Sequence, residues 1–137
     1  MNDRFPIGTA MAHEWLVDPS LTVAAHGTVK LPVLATPQLI FMLEDTCVLA
    51  VQRLLEEGET TVGTSVHVDH LAASKVGERI RAVAELVSVR GRRLVFRVEA
   101  RTGEQVVARG LHERAVIDKQ RFEASLKQSW SVGPANQ

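Results

Sequence analysis

The segment from about Thr36 to Glu57 is apolar on nearly every side, and this constrains the fold more than any other feature of the chain. Leu39, Ile40, Met42 and Leu43 are followed by Val48, Leu49, Val51, Leu54 and Leu55, leaving almost no polar face. A helix of that kind has to be wrapped by other structure. It opens Ala35-Thr36-Pro37-Gln38, with a hydroxyl residue suited to an N-cap. Proline follows at the first helical position, where its missing N–H costs nothing. Gly58 supplies a stop. The apolar run is interrupted by Glu44-Asp45-Thr46, so it falls short of the ~20 residues needed to cross a bilayer.

The wrapping material is strand-forming. A strand is predicted around His13 to Val17, ended by Asp18-Pro19-Ser20, and a second from Thr61 to Leu71. Arg79 to Arg90 places Ile80, Ala82, Ala84 and Leu86 on one face. After the turn at Gly91, Leu94, Phe96, Val98 and Ala100 continue the period of two. Thr102-Gly103-Glu104 turns the chain into Gln105 to Ile117. The short turns predict four sequential antiparallel strands in a meander. A short helix is expected over Lys119 to Lys127, and a loose tail over Ser131 to Gln137. The fold class is therefore α+β. One antiparallel sheet wrapped around one long apolar helix is the hotdog arrangement, here a single domain over residues 1–137. An exposed sheet edge favours pairing of two copies, so a homodimer is expected, with a dimer of dimers left open.

Composition narrows the class. Hydrophobic residues make up 45% and charged residues 23%, as in a globular protein. Lys+Arg and Asp+Glu balance at 16 each, so no overall field recruits nucleic acid, and no membrane association is expected. The single cysteine, Cys47, rules out an internal disulfide and suits a reducing, cytoplasmic location. The start, Met1-Asn2-Asp3-Arg4-Phe5-Pro6, lacks the apolar stretch of a secretory signal.

A few residues stand out chemically. Glu44 lies mid-helix among apolar neighbours, so either it or Asp45 should be partly buried. It is then a site residue, or it faces a dimer seam or solvent gap. Thr36 is a good N-cap, and the same helix start offers N–H groups to an oxygen acquiring negative charge. Thr36 and Glu44 lie roughly 80° apart around the helix and about 12 Å apart along it. Joint action would need an intermediary. His70 closes the row Thr64, Val66, Val68, His70, where it is either a general acid–base at a pocket mouth or a core histidine. His67 and Asp69 alternate to the other face, and scattered ligands of this kind are weak evidence for metal, so none is expected. The many arginines read as a solvated sheet face, some of them able to hold phosphates. Cys47 reads as core.

Three segments together resemble the fluoroacetyl-CoA thioesterase family of hotdog enzymes. They are Val33-Leu34-Ala35-Thr36 running to Met42-Leu43-Glu44-Asp45-Thr46-Cys47, Gly63-Thr64 to Val68-Asp69-His70-Leu71-Ala72-Ala73, and Gly110-Leu111-His112-Glu113-Arg114-Ala115-Val116-Ile117. The Val87 to Leu94 hairpin is similar as well. The resemblance places the family's catalytic threonine, glutamate and histidine on Thr36, Glu44 and His70. It places the glycine beside the thioester carbonyl on Gly63, and the strand-end arginine on Arg114. It implies hydrolysis of an acyl-CoA without metal or redox cofactor, CoA entering only as part of the substrate. The chain departs from the pattern ahead of Thr36. Ala25 to Pro32 contains no aromatic residue, and Pro37 stands where the pattern has glycine. Thioester hydrolysis is carried over; selectivity for a fluorinated acyl group is not. Two other readings stay open, a non-catalytic acyl-thioester binding module and a hotdog enoyl-CoA hydratase or dehydratase.

Overall fold

The computed structural model describes residues 4–132. Its elements, in chain order, are β1 (Ala10–Leu16), a helical turn α1 (Val23–His26), the long helix α2 (Thr36–Val51), β2 (Glu59–His70), β3 (Arg79–Arg90), β4 (Arg93–Thr102), β5 (Gln105–Asp118) and α3 (Lys119–Val132). Among the described residues the strands form one five-stranded antiparallel sheet in the order β1-β3-β4-β5-β2. The sheet packs around α2. Leu39, Met42, Leu43, Cys47, Ala50 and Val51 of the helix are buried against the inward rows of β3 and β4. This is the hotdog arrangement, each layer hiding the apolar face of the other.

The expected four-strand meander is not what forms. Only β3, β4 and β5 follow one another, whereas β2 pairs with β5 at the far edge of the sheet. Residues 71–78 therefore cross from one side of the sheet to the other. The two true hairpins turn at Gly91 and Gly103, both with φ of 59°. Glycine supplies a positive φ at the first central position of such turns at no steric cost.

Element ends shift in instructive ways. Helix α2 stops at Val51 and tightens into a 3-10 turn at Gln52–Leu54, which lets Leu54 and Leu55 fold back onto the core. Helix α3 runs to Val132, so Ser131 and Val132 belong to a helix rather than to the expected tail. Residues 133–137 of that tail lie outside the described residues. Among the described residues no helix is long and apolar enough to cross a membrane.

Candidate active site

Helix α2 presents the first two residues of interest. Thr36 is not the N-cap. Ala35 holds that position with extended backbone, its carbonyl accepting from the Gln38 and Leu39 amides at 3.0 Å each, and it makes no side-chain cap. The Thr36 hydroxyl is thereby free to reach the end of β2, where Oγ1 lies 2.8 Å from His70 Nδ1. The opposite ring nitrogen, Nε2, is buried and without a hydrogen-bond partner among the described residues. A buried polar atom left unpaired costs about 1–3 kcal/mol, which marks it as a site candidate. Glu44 is half-buried two turns along the helix.

Gly63 is where the other groups meet. A Cβ added there would lie 3.3 Å from His112 Cε1, 3.4 Å from Arg114 Nη1 and 3.7 Å from Glu44 Oε2. The absent side chain thus leaves a small space bordered by a carboxylate, an imidazole and a guanidinium. Gly63 is exposed, so the space opens to solvent beside the free edge of β2.

Beneath it lies a polar cluster on an otherwise apolar sheet face. Arg114 is only 8% exposed. Its Nε donates to Thr61 Oγ1 at 2.8 Å, its Nη2 to the Thr61 carbonyl at 2.9 Å, and its Nη1 to His112 Nε2 at 3.0 Å. His112, 1% exposed, has its Nδ1 2.9 Å from the Ser65 carbonyl. A carbonyl can only accept, so the ring proton sits on Nδ1 and Nε2 accepts from Arg114. Burial, and then the neighbouring guanidinium, hold His112 below the ordinary histidine range, against the Ser65 hydrogen bond that favours protonation. Burial likewise pulls the Arg114 pKa down, opposed by the field of Cys47, Glu44 and Asp45. A guanidinium nevertheless keeps its charge in proteins. Burial pushes the Cys47 thiol up to about 12, so Cys47 is core and not a nucleophile.

The structure brings Thr36 and His70 into direct contact, a pairing the sequence reading did not foresee. It brings Glu44, Gly63 and Arg114 around one space. It also adds His112, to which the sequence alone assigns no role. A signal for it existed. Gly110, His112, Arg114 and Val116 form one inward row of period two, with two polar members in the middle. His67 and Asp69 point away to solvent. Among the described residues no three His, Cys, Asp or Glu side chains cluster as a metal site.

The comparisons with known proteins fall on this frame. The family model for fluoroacetyl-CoA-specific thioesterase matches residues 17–120. The fluoroacetyl-CoA thioesterase of Streptantibioticus cattleyicolor is 37% identical over 140 residues, which cover 97% of this chain and 100% of the relative. A solved structure of the fluoroacetyl-CoA thioesterase FlK superposes with a TM-score of 0.85 at 37% identity, covering 90% of this chain and 96% of the other. A threonine-to-serine variant of that enzyme, in complex with acetyl-CoA, gives 0.86 at 35% identity, with 91% and 98% covered. A Thermus thermophilus protein described as a thioesterase superfamily member gives 0.83 at 32% identity, covering 92% and 96%. With the model match spanning most of the chain and the curated relative aligned end to end, this chain belongs to the fluoroacetyl-CoA-specific thioesterase family of hotdog proteins.

Proposed function

We infer that the chain is a thioester hydrolase that cleaves an acyl-CoA to the free acid and CoA. Thr36, Glu44 and His70 carry the chemistry, and Gly63 and Arg114 hold the thioester. The observation that carries this reading is the convergence at Gly63. Glu44 and Arg114 border the space a Cβ would occupy, and the Thr36–His70 pair stands at the start of the same helix.

A thioester laid over Gly63 has its carbonyl oxygen near cationic Arg114. Three of the five guanidinium N–H donors are committed to Thr61 and His112, leaving one on Nη2 and one on Nη1, and it is Nη1 that lies beside Gly63, placed to donate to an oxygen gaining charge. Glu44 then acts in one of two ways. As nucleophile, its carboxylate forms a C–O bond to the carbonyl carbon, the C–S bond breaks, CoA leaves as thiolate and water hydrolyses the anhydride. As general base, it takes a proton from water, whose oxygen attacks instead. Hydroxylamine added during turnover separates the two, because only the anhydride yields a hydroxamate on the peptide bearing Glu44. His70, oriented through Nδ1 by Thr36, uses Nε2 to move protons to and from the departing sulfur and the water. The reading requires neither a metal nor a redox cofactor.

A homodimer belongs to this proposal. β2 lies at a free edge with Val66 exposed, and the site beside it is open on that flank. Pairing with the β2 edge of a second copy would both cover the edge and wall the acyl group. A cytoplasmic location suits the lone reduced thiol. The acyl group is proposed only as far as its CoA thioester, because the stretch Ala25 to Pro32 ahead of Thr36 carries no Phe, Trp or Tyr to enclose a fluorinated acyl group.

Thiol release over short, branched, aryl and long acyl-CoAs tests the reading. We expect release with at least one class, and its loss by roughly 100-fold or more in Glu44→Gln and His70→Ala. Full activity in both folded variants would exclude the assignment. Thioester binding without thiol release would favour a binding module, and enoyl hydration without release a hydratase.

A further inference from the structure

Gly63 and His70 are seven residues apart on β2. In a regular strand an odd separation puts two residues on opposite faces of the sheet. Here both face α2. The missing Cβ of Gly63 points toward Glu44 Oε2, and His70 meets Thr36 of the same helix. The parity is changed by a bulge. Gly63 pairs with Arg114 while Ser65 pairs with Glu113, leaving Thr64 as the extra residue.

A bulge breaks the ladder locally, and among the described residues β2 has a neighbouring strand on one side only. Side chains of β5 supply what the ladder lacks. Arg114 holds Thr61, ahead of the bulge, through both its carbonyl and its hydroxyl. His112 holds the Ser65 carbonyl, just past it. The Arg114–His112 hydrogen bond closes the bridge across the irregularity. We propose that His112 is a positioning residue for the reaction, clamping the β2 bulge together with Arg114 so that Gly63 and His70 stay on the face that carries Glu44.

This inference rests on the site reading given under Proposed function and deepens it. His112 has no free ring nitrogen for substrate, since Nδ1 donates to Ser65 and Nε2 accepts from Arg114. Its effect on turnover therefore runs through the backbone of β2. The clamp also requires a neutral ring, because an imidazolium would turn an N–H toward the guanidinium.

The test compares His112→Leu, which removes the clamp, with His112→Asn, whose amide can still donate to the Ser65 carbonyl. Steady-state kinetics on an accepted acyl-CoA are read beside amide hydrogen exchange at residues 63–65. The expectation for His112→Leu is a kcat lowered by about tenfold or more, within the ~100-fold that a 1 Å misplacement can cost. KM should stay within about threefold, and exchange should quicken at residues 63–65 ahead of the rest of the sheet. His112→Asn should recover most of both. Wild-type kcat in His112→Leu, or equal impairment of the two variants with exchange at 63–65 unchanged, would overturn the clamp. Should His112→Leu fail to fold, His112→Gln, whose longer amide misses the Ser65 carbonyl, takes its place in the same comparison. Glu44→Gln run alongside keeps the two ideas separable. If it retains full turnover the site reading fails; if it is inactive while His112→Leu is normal, only the clamp fails.

Discussion

Thr36 Oγ1 and His70 Nδ1 stand 2.8 Å apart across 34 positions of sequence, joining the first turn of the buried helix to the last residue of an edge strand. Because Ala35 rather than Thr36 is the N-cap, the hydroxyl has no part in ending the helix. Thr36→Val should therefore lower kcat by roughly 10- to 100-fold. Its effect on stability should be well below the ~1 kcal/mol typical of a lost cap. Thr36→Ser should keep the contact and most of the activity. Thermal melts and steady-state rates on the same preparations decide it; a large melting shift with unchanged kcat would return Thr36 to a structural role.

Two glycines should fail in different ways. At Gly110 a Cβ would fall 2.0 Å from the His67 carbonyl oxygen and 2.7 Å from Val68 Cα, so the backbone of β2 has to move. Gly110→Ala should destabilise the fold by about 1–3 kcal/mol or more. At Gly63 the closest contacts are 3.3 and 3.4 Å, to side chains, and Gly63→Ala should cost less than about 1 kcal/mol. The added methyl occupies the space over the site, so kcat should nonetheless fall more than tenfold, by analogy with other small misplacements at reacting centres. Denaturant midpoints set beside kcat separate the two, and equal stability losses would contradict the geometry.

Acid should loosen the sheet through His112. Arg114, Glu44 and the Ser65 carbonyl face it, Glu113 acts from the opposite face of β5, and burial with Arg114 lowers its pKa below the ordinary 6.5. A folded-state pKa below the unfolded one means stability that is fully present above about 6.5 and lost as pH falls below it toward the folded value. Melting temperatures between about pH 8 and pH 5 should drop less steeply in His112→Asn than in the parent. Parallel curves would show that His112 does not titrate on unfolding in that window.

The sequence made some of this visible and hid the rest for physical reasons. Helix α2 could be read because its apolar run, entry proline and following glycine are local signals. The β3–β4 and β4–β5 turns could be read because Gly91 and Gly103 are the residues a positive φ requires. The position of β2 could not, since its choice of β5 over β3 depends on contacts distant in sequence. The bulge at Thr64 was invisible for the same reason, as periodicity of two assumes an unbroken ladder. Arg114 shows the limit on side chains. Arg93, Arg97 and Arg101 do pair with Glu113, Glu85 and Glu99 on exposed surfaces, as a solvated face predicts. Arg114 has the same composition signal and is buried. Thr36 and His70 each stand out in the sequence on separate grounds, and only folding across 34 positions brings them into contact.

The burial of Cys47 has a consequence at the bench. The lone thiol is 0% exposed and its pKa stands at about 12, so almost none of it is thiolate at neutral pH. A disulfide-exchange dye should leave the folded enzyme unlabelled until denaturant is added, and prior alkylation should not change the rate. Colour developed during turnover then counts released CoA alone, which makes even slow hydrolysis of a poor acyl-CoA readable against a flat baseline.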